Sequence, residues 1–166
     1  DVFSRQDWHD EAIELMTQIM LQFKHQQNTL YLDDAVYTLD ALYVALTLNH
    51  DVMDHVEFVW NHIMESFYDH IHGGAWFSQE SHRTPMSRIK DIYDQAVPAA
   101  NAVLMRVSFD LYLRCSNVEY LNCGVNGMQA FLGKVMQSVS GCDSYWLAVR
   151  YYWRLFNDCS FDLIWC

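Results

Sequence analysis

Residues 31–46 read YLDDAVYTLDALYVAL. Leu32, Ala35, Val36, Leu39, Leu42, Tyr43 and Leu46 follow the three- and four-residue steps that put side chains on one face of an α-helix. Asp33 and Asp34 stand at its start, where unpaired N–H groups and the helix dipole favour negative charge. A helix with one apolar face needs another element to cover that face.

The same period recurs on both sides. Trp8, Ala12, Leu15, Met16, Ile19 and Phe23 predict a helix before this one, and Val56, Val59, Trp60, Ile63 and Phe67 one after it, with Asp51 as its N-cap. Val103, Leu104, Val107 and Leu111 predict a fourth, with Pro98 in its first turn. Asn117 caps a fifth face of Leu121, Val125, Met128, Leu132, Val135 and Val139. Ser144 caps a sixth, of Tyr145, Val149, Tyr152, Trp153 and Phe156. The connections KHQQNT, LNHD, CSN and SGCD are short. The expected fold is therefore all-α: about six helices arranged as three antiparallel hairpins.

One connection is long. HIHGGAWFSQESHRTPMSRIKDIYDQAVPAANAV, residues 70–103, carries both prolines and two adjacent glycines. Connections longer than about 12–15 residues in a compact domain are commonly functional. GGAWFS followed by RIK predicts a short β-hairpin near residues 73–90. The apolar end FDLIWC, residues 161–166, is expected to begin a strand.

The chain has 166 residues, 52% of them hydrophobic and 15% aromatic, which suits one helical domain over residues 1–166. Its net charge of −11 opposes phosphate backbones and anionic lipid, so nucleic acid and membranes are not expected partners. The opening DVFSRQDWHD has no signal-peptide pattern. The five cysteines are odd in number and lack C-x-x-C spacing, although Cys115 and Cys123 flank one turn closely enough to approach each other. Unbridged thiols in a reducing intracellular compartment are the expectation.

Three segments in order, YLDDAVYTLDALYVAL, FYDHIHGGAWFSQE (residues 67–80) and RIKDIYDQAVPAANAVLMRVSFDLY (residues 88–112), carry a resemblance. Together they are similar to the C-terminal helical-barrel half of the thioredoxin-domain-containing, spermatogenesis-associated family. The resemblance covers roughly residues 12–166. It implies a partial (α/α) toroid of the six-hairpin-glycosidase type, akin to N-acylglucosamine 2-epimerases, with about half the helices of a closed toroid. Four positions depart from the family pattern. Ala35 stands where the family has Tyr, Gln95 where it has Gly, and Ala99 and Ala102 where it has Ser.

The polar residues near these helix starts are the candidate site. Asp34 and Asp94 are the candidate catalytic pair, with Asp33 and Asp91 beside them. Glycoside hydrolysis needs two carboxylates about 5–5.5 Å apart for retention, or about 6.5–9.5 Å for inversion. Helix capping and salt bridging account for the same residues without catalysis. Arg88 and Lys90 either neutralise a substrate anion or pair with the neighbouring acids. Asn101, an amide in an apolar stretch, holds either a sugar hydroxyl or a loop. Trp76 and Phe77 offer rings for a sugar to stack on, or cap the core.

His50, His55, His62, His70 and His72 lack the H-E-x-x-H spacing, so no metal is expected. No cofactor is expected either, because there is no glycine-rich phosphate loop. Two functions compete. One is a helical scaffold or interaction domain that packs against a protein partner, a missing half-barrel or a second copy. The other is a carbohydrate-binding or carbohydrate-processing site at an acidic, aromatic barrel mouth. Whether the chain is an enzyme stays open, and the departures at Gln95, Ala99 and Ala102 favour the scaffold.

Overall fold

A computed structural model describes residues 6–26, 30–48, 52–80 and 88–156. They hold six α-helices: α1 (Gln6–Gln26), α2 (Leu32–Leu48), α3 (Met53–Ser66), α4 (Ala100–Cys115), α5 (Val118–Gln137) and α6 (Asp143–Phe156). The chain is all-α. No helix among the described residues is long and apolar enough to cross a membrane. Contacts gather into two compact units. The first runs to Tyr68 and includes Trp76–Ile89; the second comprises Asp69–Ala75 and everything from Lys90 onward.

In the first unit α2 packs against both α1 and α3. The apolar face read from residues 31–46 is the buried one: Leu32, Ala35, Val36, Leu39, Leu42 and Leu46 are all buried. The α3 face of Val56, Val59, Trp60, Ile63 and Phe67 is buried as well. Asp51, the expected cap, lies outside the described residues. The N-cap position of α3 is Val52, which makes no side-chain cap bond.

In the second unit α4 packs against both α5 and α6. Its segment from Ala100 to Leu111 is buried almost all round, with only Arg106 partly exposed. Pro98 does not occupy the first turn. The helix starts at Ala100, with Ala99 as N-cap in extended conformation. The cause lies upstream, where Asp94 Oδ1 accepts from Ala99 N–H at 2.7 Å and holds residues 95–98 in a loop outside the helix.

The buried line of α5 departs from the one expected. Val135 is buried as expected, and Leu121, Val125 and Met128 pack partly buried against the core, but Leu132 and Val139 are 48% and 58% exposed, and Tyr120, Cys123, Gly124, Gly127 and Phe131 face inward. The two glycines decide this. A β-carbon at Gly124 would lie 2.6 Å from Phe109 Cζ, and one at Gly127 would lie 2.8 Å from Met105 Cγ. Large α4 side chains thus fill the space that small α5 residues leave.

The expected hairpin near residues 73–90 is not a regular strand pair among the described residues. Gly73 and Gly74, at φ +74° and +71°, make a turn that closes on Asp69. The chain then runs extended past the helix ends, with single bonds from Trp76 N–H to Phe67 O, Leu32 N–H to Phe77 O, and Phe77 N–H to Ile89 O. Ser78 forms an isolated bridge with Tyr31. Residues 81–87 of that segment and the expected strand at 161–166 lie outside the described residues.

Candidate functional site

The candidate residues divide between the units. Asp33, Asp34, Trp76, Phe77 and Arg88 belong to the first; Lys90, Asp91, Asp94 and Asn101 belong to the second.

In the second unit the polar side chains hold backbone. Asn101 is 3% exposed. Its Oδ1 accepts from Ala75 N–H at 2.7 Å, and its Nδ2 donates to Ala75 O at 3.0 Å and Asp91 O at 2.8 Å. The amide therefore pairs with Ala75 as a neighbouring strand would, and ties the Gly-Gly turn to the start of α4. Asp91 Oδ1 accepts from the N–H groups of Ile92 and Tyr93. Asp94 uses one oxygen on Ala99 N–H and the other on Ser144 N–H, at 2.7 and 2.8 Å. One carboxylate thus serves the starts of both α4 and α6. Ser144 was expected to cap α6; the cap on its own N–H comes instead from Asp94, fifty residues upstream.

Lys90 donates to Asp69 Oδ2 at 2.7 Å and to Gly73 O at 2.6 Å. Asp69 is a residue that sequence reasoning missed. It is buried, and its Oδ1 also accepts from the N–H groups of Ile71 and His72. The hydrogen bond from Lys90 holds its carboxyl far below the usual range against the opposing pull of burial, and the two turn N–H groups add to the effect. The sequence signal was available: an acid four residues before Gly73-Gly74, the position from which a short carboxylate reaches a turn's N–H groups. Lys134 reaches the same region, donating to Lys90 O at 2.9 Å.

A second polar group lies between α4 and α6. Asp110 is buried; it accepts from Arg106 at 3.0 Å and from the Tyr151 hydroxyl. Cys142, just before α6, is fully buried, and burial pushes its thiol above the ordinary range, with Asp94, Asp143 and Asp91 adding to the shift. Cys115, Cys123 and Cys142 are thiols, not disulfides.

In the first unit Asp34 is exposed, and its Oδ2 accepts from Tyr31 N–H at 3.0 Å, a local cap on the entry to α2. Asp33 is half-buried in the same turn. Arg88 donates from Nε to Ser78 O at 2.8 Å and from an NH2 group to Ser66 O at 3.1 Å, so it closes the carbonyl end of α3. Its guanidinium carbon lies 5.4 Å from the centre of the Trp76 ring.

Phe77 points the other way. It stacks on Tyr31, with ring centres 5.0 Å apart and planes at 24°. Tyr31, Phe77 and Ile89 are 45%, 42% and 56% exposed. Backbone bonds join Phe77 to the segments on either side, at Leu32 and at Ile89. These exposed apolar side chains lie on three segments joined by single backbone bonds and make up a row in which Tyr31 and Phe77 are in ring contact. Tyr31 and Ile89 were not foreseen. The alternation of Trp76, Phe77, Ser78 and of Arg88, Ile89, Lys90 was the signal that could have found the row.

Among the described residues no three His, Cys, Asp or Glu side chains are placed to hold a metal ion. Chemically, the second-unit residues restrain loops, and the first-unit row offers an apolar surface beside the exposed Asp34 carboxylate. No protein-family model matches this chain, and no curated protein matches it.

Proposed function

We propose that this chain is a helical scaffold or interaction domain, of the kind a six-hairpin-glycosidase-like half-barrel would supply, and that it packs against a protein partner or a second copy. The observation that carries this proposal is the exposed row Tyr31–Phe77–Ile89. The stacked rings of Tyr31 and Phe77, with exposed Ile89 on the segment bonded to Phe77, form a preorganised apolar contact, and aromatic anchors of this type contribute strongly at interfaces. The capping roles of Asp34 and Asp94 fit a scaffold, because they account for both carboxylates without a substrate.

A carbohydrate site is the second reading. It is favoured by the exposed stacked rings of Tyr31 and Phe77 beside Asp34, since sugar C–H faces pack on aromatic rings and carboxylates accept from hydroxyls.

Light scattering behind a sizing column separates the two. The scaffold predicts a particle heavier than the 19.6 kDa chain, either self-associated or with a co-purifying protein. A Phe77→Ser, Ile89→Ser double variant should return it to the monomer. A monomer at every concentration, with saturable binding of neutral oligosaccharides that Phe77→Ser abolishes, would replace the scaffold with the carbohydrate site.

A further inference from the structure

We propose that His62 is a proton-sensitive latch that holds α1 against α3 when its ring is neutral and releases α1 when the ring is protonated. The proposal rests on three contacts within the first unit.

The first is with α1. Of the side chains described on α1, from Glu11 to Gln26, only Met20 and Phe23 are buried. Phe23 meets the His62 ring edge-on, with centres 5.4 Å apart, and meets Phe58 at 6.4 Å. One of the two buried anchors of α1 therefore sits directly on this imidazole.

The second contact is with Gln79. Gln79 is 5% exposed, and its Nε2 lies 3.5 Å from His62 Nε2. With the amide nitrogen on this side, His62 Nε2 is the acceptor. The ring proton then sits on Nδ1, which faces Ser66 Oγ at 3.5 Å. Protonation puts a second N–H on Nε2, so the Gln79 amide must turn its oxygen to the ring or lose this contact in a half-buried site.

The third contact is Phe67, whose ring lies edge-on to His62 at 5.7 Å and is itself buried. An imidazolium here gives up part of its hydration to two phenyl rings.

The surrounding charges do not offset this. On α3 Glu65 favours the cation, but burial outweighs it and keeps the imidazole below its ordinary value. On α1 the charge next to Phe23 is Lys24, whose Nζ lies 5.2 Å from the Phe58 ring centre. From the extended segment the facing group is the neutral Gln79 amide. The sign follows. Above about pH 6.5 the ring is neutral in docked and undocked states, so pH has no effect. Below it the undocked state takes up a proton first, and docking weakens by up to about tenfold per pH unit until the docked ring also titrates.

The test is hydrogen exchange on the full chain at pH 7.5 and 5.0, corrected for intrinsic rates, with His62 followed by imidazole NMR. The expected result is that α1 amides lose protection at pH 5.0 by about tenfold or more relative to α2. His62 should titrate below an exposed histidine. His62→Phe should remove the pH dependence. Gln79→Glu supplies an acceptor in place of the donor, and should raise the His62 titration and keep α1 docked at pH 5.0. Equal α1 protection at both pH values, or a His62 titration at or above that of an exposed histidine, would overturn the proposal.

Discussion

The side-chain amide of Asn101 pairs with both backbone groups of Ala75, across twenty-six residues of sequence. Together with its bond to Asp91 O, this fastens two loops to the first turn of α4. Asn101→Leu leaves one buried N–H and two carbonyls without this partner. A stranded buried group costs about 1–3 kcal/mol, so a loss of about 3–5 kcal/mol is expected. A urea titration should show the midpoint falling with little change in slope, and Asn101→Asp, which sets a carboxylate oxygen against the two carbonyls in a buried site, should fall at least as far.

Asp94 joins the starts of α4 and α6 through its two oxygens. Asp94→Ala is expected to cost about 2 kcal/mol, the sum of two caps of about 1 kcal/mol each. Asp34→Ala, which loses one local cap, should cost about half as much. Thermal unfolding by circular dichroism measures both. Equal, negligible effects would show that the helix starts are held by packing alone.

The Asp69–Lys90 pair makes stability depend on acid. Asp69 has a lowered folded value, so its contribution is complete at neutral pH. As pH falls below about 4, the unfolded chain binds the proton first and stability drops. Lys90→Met should reduce that acid-dependent part to what the Ile71 and His72 N–H groups maintain, and cost about 2–3 kcal/mol at pH 7, because a buried carboxylate loses its cation. Urea titrations at pH 7 and pH 3 on both proteins give the comparison.

Two glycines of α5 should respond in opposite directions. At Gly124 a β-carbon would press on the Phe109 ring, so Gly124→Ala is expected to destabilise by about 1–3 kcal/mol. At Gly133 nothing lies within 4 Å of the added carbon, and Gly133→Ala should stabilise by about 0.5–1 kcal/mol through helix propensity. Differential scanning calorimetry of the two variants suffices.

Helix existence was legible because the apolar period belongs to each segment alone. Leu32 through Leu46 and Val56 through Phe67 are buried along the line that their spacing gives. Asn117 was legible as well: its Oδ1 accepts from Glu119 N–H at 3.0 Å, a bond made two residues away. The sequence by itself thus determined the all-α class, the helix positions and the Asn117 cap, since those depend on side chains a turn or less apart.

Tertiary structure decided the rest. Which face of α5 is buried depended on Phe109 and Met105 of α4 occupying the space beside Gly124 and Gly127, and a glycine carries no hydrophobic signal of its own. The start of α6 takes a cap from Asp94 rather than only from its own first residues. Asp34 and Asp94 were open to capping or to catalysis from their places near helix starts, and only the fold showed which backbone N–H groups each one meets. The row of Tyr31, Phe77 and Ile89 arises from three distant segments brought together by single backbone bonds. Such pairings are non-local, and a period read along one segment holds no information about which distant segment will lie beside it.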